Sequence, residues 1–553
     1  MFLLWLGCLM FMASCALSLF IVRKAELGAV KSLHQSLHHY SPYVRYMQDK
    51  HDLNGIGFAQ QLTRHIGGLS SAGIAFTALS FIGGALLLLG PAAEAGGPAV
   101  IGIGWPVLTF FGLITASALA SLASAVPTAG GCYHWALSAG GRRSGLWTGW
   151  LHLMGTILLL VTTNLLLADW IYMVLEKRLG YAGGEELRLI LILVLFITQA
   201  LLNVRGVHEL GRLAGFTAIV QLFVCMAVAI FLVAAAWPSM YPFQMLSGTA
   251  SPSGGETSLV LGMLLLQRLF LGGDSIGQMA EETKDPRVNV PWSIFFSALM
   301  LGVFGYILFV IVMMFFPLGR EGFASYLEIG SWLAALWDRL GAFLSGIMML
   351  LILWAVWMNG SISIAAASRT LFAMARDEAA PFSGKLMAVS EQFRTPLRSV
   401  LAVTAAAASV AVTLKAVSAS GVTPQSMLAQ LAMLGIGAMH TAYALPIGAK
   451  LYGVFTNRAN AKLKGPWHIG KYGTAVDMAA VCWLTATGLV AIAMLDPIVL
   501  SVLLCALLAA SCIIEWKYRA MLKKSPFKVV GSIRFSRRSI DECIRIERKF
   551  PQQ

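Results

Sequence analysis

The strongest constraint on this chain is a series of apolar segments, each long enough to cross a bilayer, two of which are interrupted by paired glycines. About 20 apolar residues span the hydrocarbon core as a helix. Such segments recur at about Gly68–Gly90, Ala99–Ala125, Leu146–Leu175, Leu187–Leu202 and Leu213–Trp237, then from near Leu259. They continue at about Trp292–Pro317, Leu340–Ala375, Ser399–Leu414, Pro424–Ala449, Thr474–Leu495 and Pro497–Trp516. We number them spans 1 to 12. Backbone polar groups in a membrane must be satisfied within the protein, which leaves helices as the expected form. With 58% hydrophobic and 12% charged residues, an all-α polytopic membrane protein is predicted.

The interruptions fall in spans 1 and 6. Span 1 contains Ser80-Phe81-Ile82-Gly83-Gly84, and span 6 contains Gly272-Gly273-Asp274-Ser275. Each glycine weakens a helix by roughly 1 kcal/mol relative to alanine, and an acid inside a span is costly. Small residues at such places also let helices pack closely. Spans 1 and 6 run in opposite directions and open corresponding five-span halves. Interrupted spans at matching positions of inverted halves mark a transporter binding site.

Orientation follows from the basic residues. One set of connections carries Arg142, Arg143, Arg205, Arg212, Lys284, Arg287, Arg376, Lys385, Arg394 and Arg398, then Lys450 to Lys471, and a basic tail follows. The opposite set has far fewer, which places the first set in the cytoplasm. The net charge of +14 is thereby assigned to a membrane face and not to nucleic acid. Residues 1–22 read as an extra N-terminal span or a start-site artefact, and 23–66 as a cytoplasmic polar segment. Residues 67–449 form a ten-helix core, 450–473 a cytoplasmic loop, 474–516 two additional helices, and 517–553 a cytoplasmic tail. The eight cysteines form no metal-ligand or disulfide pattern. No nucleotide-binding loop or catalytic constellation stands out, so neither a pump nor an enzyme is expected, and no cofactor or metal.

Four stretches carry a family resemblance: ASLASAVPTAGGCYHW (Ala120–Trp135), GDSIGQMAEETKDPRVNVP (Gly273–Pro291), AASRTLFAMARDEAAPF (Ala366–Phe382) and GPWHIGKYG (Gly465–Gly473). Together they resemble the amino acid–polyamine–organocation permeases, in particular the amino acid/choline/GABA permease branch. Leu122 stands where an acid is common in that branch, and Gln278 where a histidine is. The resemblance implies a LeuT-like 5+5 inverted repeat with two further helices. It also implies alternating-access transport of a small amine-bearing solute across the cell membrane, coupled to H+ or Na+. Neutral or GABA-like amino acids are the expected cargo. A choline or polyamine permease, or a transport-dead receptor-like or scaffolding protein, are the alternatives.

In the family, backbone groups at the two breaks hold the substrate. Here they correspond to Ile82, Gly83 and Gly84, facing Phe270, Leu271, Gly272 and Gly273. Asp274 either accepts the substrate ammonium or caps the second half of span 6. Arg268 either plays a structural role, reaching the outer surface or pairing with an acid, or faces the outer vestibule and recognises a second carboxylate on the substrate. Ser361 and Ser363 lie about where sodium-coupled relatives place hydroxyl ligands. Glu281 and Glu282, with Arg369 and Arg376, form a candidate cytoplasmic gate whose other reading is solvated loop charge. Asn164, Asn359 and Gln221 are expected to link helices.

Overall fold

The structure, a computed structural model, describes residues 2–33, 41–181, 183–236, 242–249, 258–315, 342–418, 424–457, 465–524 and 545–548. Arg320, Arg339 and most of the basic tail, on which the charge asymmetry partly rests, lie outside these residues. Among the described residues every regular element is helical, apart from one parallel bridge between Ile66 and Thr283. Twelve helices are long and apolar enough to cross a membrane, and span 1 adds a thirteenth as a bent pair. The all-α polytopic architecture with an additional N-terminal helix is therefore present.

Most span boundaries fall close to the sequence reading. Span 4 is Gly184–Val204, span 5 Val207–Ala236, span 8 Ala342–Arg376, span 9 Leu397–Ser418, span 10 Pro424–Phe455, span 11 Gly473–Ala493 and span 12 Pro497–Lys524. Three places differ. The N-terminal helix runs Phe2–Leu33, well past residue 22, and packs against span 2. Cys132–Leu179 is two helices joined at a kink, where Gly141 leaves helical geometry at φ 80° and ψ −173°, so a short helix from Cys132 precedes span 3. The Arg142-Arg143 pair follows that kink directly, at the junction of the two helices, where the chain takes a conformation that glycine alone adopts readily. Span 7 starts at Pro286 and carries Pro291 within it.

Span 1 is sheathed by spans 5, 7 and 8, and span 3 packs along span 10. The contacts are close because small residues face each other. A Cβ placed on Gly73 of span 1 would stand 2.5 Å from the Gly215 Cα of span 5. One on Gly7 of the N-terminal helix would stand 2.0 Å from the Gly102 carbonyl oxygen, in the π-helical turn Val100–Gly104 that opens span 2. In a membrane, where lipid is as apolar as leucine, such packing replaces the hydrophobic drive between helices.

Because the atoms facing Gly73 are backbone, they cannot swing aside. Gly73→Val is expected to destabilise the bundle by about 1–3 kcal/mol or more, the cost of overpacking. Gly448→Ala, inside span 10 where nothing lies within 4 Å of an added Cβ, should cost nothing and can raise stability by up to about 1 kcal/mol. Thermal melting of the detergent-solubilised protein compares the two, and equal melting temperatures would remove the proposed constraint.

Candidate functional site

Span 1 is interrupted at Ser80, just before its glycines, and Gly68–Gly84 is bent by 59° against Leu89–Gly96 just after them. The first half, Gly68–Ala78, stops at Leu79, Ser80 takes a left-handed φ of 54°, and the second half restarts as Phe81–Leu87. Ile82, Gly83 and Gly84 therefore belong to a helix and not to unwound chain. The glycines serve close approach. A Cβ on Gly83 would meet Ser80 Oγ at 2.4 Å and Val356 Cγ2 at 2.9 Å, and one on Gly84 would meet Leu269 Cδ2 at 1.8 Å. The backbone groups freed by the break are claimed by neighbouring spans. Asn359 Nδ2 donates to the Thr77 and Ala78 carbonyls at 3.2 and 2.7 Å, and the Ile82 N–H donates to Gln221 Oε1 at 3.4 Å. Asn164 and Gln199 exchange two amide hydrogen bonds at 2.9 and 3.0 Å. The intramembrane amides thus link helices as expected.

Span 6 breaks where its sequence predicts. Leu259–Gln267 tightens into a 3₁₀ turn at Arg268–Phe270, Leu271 is extended, and Gly272 adopts φ 104° before the short helix Ser275–Gln278. Only glycine takes that φ without strain. Its position also brings the two breaks together, since an added Cβ would lie 3.0 Å from the Ala78 carbonyl oxygen. Phe270 turns to span 2, where its ring stands 5.4 Å from Trp105.

Asp274 occupies the N-cap position of the short helix, yet its side chain makes no capping bond. It is buried and held by four donors from three elements. Tyr443 of span 10 donates to Oδ1, while His152 Nε2 (2.8 Å), Gln278 Nε2 (2.9 Å) and Cys132 Sγ (3.5 Å) meet Oδ2. The Gly272 N–H in turn donates to the Tyr443 hydroxyl at 3.2 Å. Ligand atoms of Cys132, His152 and Asp274 lie within 4.8 Å of one another, a spacing that suits a metal ion. In this structure they are engaged with each other.

Above the breaks lies a cavity of about 30 Å³, room for roughly two water molecules. Ser80, Gly83 and Gly84 of span 1, Thr162 and Thr163 of span 3, and Arg268 and Leu269 of span 6 line it, with Ala432 and Ile436 of span 10. Of the expected substrate-binding set it gathers Gly83 and Gly84. Phe270, Leu271, Gly272, Gly273 and Asp274 are absent from its wall.

At the opposite end the four gate residues meet. Glu282 takes a bidentate pair from Arg369, both contacts 3.0 Å, and Glu281 another from Arg376 at 2.8 and 3.1 Å. All but Arg376 are fully buried, so these are not solvated loop charges. Glu281 also accepts from the Ala129 N–H at 3.0 Å, in the loop after span 2. Next to it Asp377 receives His134 and Tyr133, each at 3.1 Å. Three of the quoted sequence stretches thus converge on one cluster. The segment before span 1 clamps it from below. Ile66 bridges Thr283, and the buried Arg64 donates to the Thr283 carbonyl at 2.8 Å. Asp49, which accepts from the Asp285 N–H, has its carboxyl pushed up to about 6 by burial, against the pull of Arg64.

Ser361 and Ser363 donate to the carbonyls of Trp357 and Asn359, four residues back, at 3.1 and 3.0 Å. Sequence reasoning missed Arg64, His152, Tyr443 and the His134–Asp377 pair. Polar side chains inside apolar spans were the available signal for His152 and Tyr443.

The family described as amino acid permease matches residues 66–530. The chain is similar to the rice "Amino-acid permease BAT1 homolog", 27% identical over 456 residues that cover 78% of this chain and 85% of the relative. The Arabidopsis thaliana amino-acid permease BAT1 is 26% identical, covering 78% and 86%. The Saccharomyces cerevisiae "GABA-specific permease" is 35% identical over 96 residues, 17% of each chain.

Removing one partner of a buried ion pair leaves an uncompensated charge and typically costs 3–5 kcal/mol. Glu282→Gln should therefore lower stability by about that amount. The double variant Glu282→Leu/Arg369→Met, which removes both charges, should recover most of it. Denaturation midpoints of the two purified variants decide this, and a double variant no more stable than the single one would contradict it.

Proposed function

The chain belongs to the amino acid permease family, and on that premise we propose that it is a secondary active transporter moving amino acids or GABA-like amines by alternating access. Membership makes it a multi-pass membrane transporter of amino acids and not an enzyme. The observation that carries the finer reading is the meeting of the two span breaks, Gly272 against Ala78, beside a small cavity. Interrupted spans that meet at mid-membrane are the site a 5+5 inverted-repeat transporter uses. An intact pair of breaks speaks against a transport-dead scaffold. We place the protein in the cell membrane with its tail cytoplasmic. The Lys/Arg asymmetry supports this, as does the Gln60 N–H bond to tail residue Glu547 at 3.0 Å, which puts both on one side.

The paired Glu281–Arg376 and Glu282–Arg369 contacts, with Arg64 beneath them, serve in this reading as the cytoplasmic gate, closed in the present conformation. We take H+ as the coupling ion. The buried His152–Asp274 pair lies at the span 6 break, and ionisable pairs inside a membrane mark proton pathways.

Uptake of GABA, alanine and glutamate into vesicles holding the purified protein, under an imposed proton or sodium gradient, tests the reading. Proton-driven uptake of at least one of them is expected, and none under either gradient would refute transport. Asp274→Asn should abolish the response to the proton gradient. Gly83→Leu should eliminate uptake while leaving membrane expression intact, because its side chain fills the cavity. Normal uptake in that variant would remove the site from span 1.

A further inference from the structure

Arg268 answers neither description expected of a structural arginine inside a span. It is only 9% exposed, so it does not reach the outer surface, and among the described residues no carboxylate stands within ion-pairing distance. Its guanidinium carries five N–H donors. The hydrogen bond found is from Nη2 to Thr163 Oγ1 at 3.1 Å, and that hydroxyl already donates to the Leu159 carbonyl. The group lines the cavity beside Ser80, Gly83 and Thr162. Asp274, the ionisable group of the adjoining break, is absent from the cavity wall and has its oxygens taken by four donors. The wall therefore carries one cation and no acid. A buried charge of this kind is tolerated when a counter-charge arrives.

We propose that Arg268 is the carboxylate-recognising residue of the transport cavity, taking the carboxylate that amino acids and GABA-like compounds share. The planar guanidinium fork matches a carboxylate by two parallel hydrogen bonds, which a spherical anion cannot accept. The same charge repels choline and polyamines, which have no carboxylate. This inference rests on the permease reading and deepens it. Because the cavity as it stands holds about two waters, its walls must part before a solute enters.

The test compares each acid with its carboxamide as competitors of uptake into vesicles: GABA against 4-aminobutanamide, and alanine against alaninamide. The wild-type protein is expected to prefer the acid on the order of 10- to 100-fold, the range of a charge-assisted hydrogen bond. In Arg268→Gln that preference should fall to near one, since glutamine accepts an amide as readily as an acid. In Arg268→Lys, which keeps charge but loses the fork, an intermediate preference is expected. A merely structural arginine would change total uptake and leave the acid-to-amide ratio alone. A wild type that takes up the acids without preferring them overturns the assignment even if Arg268→Gln fails to fold. So does an unchanged ratio in either variant, or loss confined to glutamate with GABA untouched. Uptake that tracks chloride with no acid preference would assign Arg268 to an inorganic anion instead. If the wild type takes up none of these solutes, the permease reading itself fails.

Discussion

A helix broken inside a membrane frees N–H and C=O groups that have no water to turn to. Much of what surrounds the two breaks answers that need. Asn359 reaches from span 8 to the last carbonyls of the first half of span 1. Gln221 of span 5 meets the first amide region of the second half, and Tyr443 of span 10 takes the Gly272 N–H while donating to Asp274. Each of these side chains would be costly in an apolar span without its partner. The polar residues and the breaks therefore hold each other in place, and spans 5, 8 and 10 are tied to spans 1 and 6 through the same few bonds.

Much of this was legible in the sequence. Span positions follow from apolar length alone, and the span 6 break follows from Gly272, whose φ of 104° needs glycine. The encounter of Glu281 and Glu282 with Arg369 and Arg376 was foreseeable from where the spans end. The span 1 glycines are themselves helical but stand between the interruption at Ser80 and the bend after Gly84. Paired glycine weakens a helix, but it also permits close approach, and here Ser80, Val356 and Leu269 use that room while Ser80 itself makes the break. The cap expected of Asp274 failed for a different reason. His152 and Tyr443 lie on distant spans, and nothing local announces that folding delivers them to one carboxylate. The helix before span 3 was hidden because it is short and ends at Gly141, whose backbone leaves helical geometry.

The two ends of the site differ in how they treat charge. The glutamate–arginine cluster pairs its charges: two bidentate glutamate–arginine contacts, a histidine and tyrosine on Asp377, and Arg64 on backbone carbonyls. Such a cluster is at rest when closed, and breaking it admits water to groups that hydrate well. The cavity leaves Arg268 with a single hydroxyl.

The glutamate–arginine cluster also orders the birth of the protein. Arg64 and Thr283 are 219 positions apart, Glu282 and Arg369 87, and Glu281 and Arg376 95. A chain emerging from the ribosome therefore carries Glu281 and Glu282 bare until span 8 has been delivered. The cluster is therefore complete only once the end of span 8 is in place, with spans 9 to 12 still to come. A chain released before Arg376 would present two unmatched acids at the membrane face, a marker of incompleteness written into the fold itself.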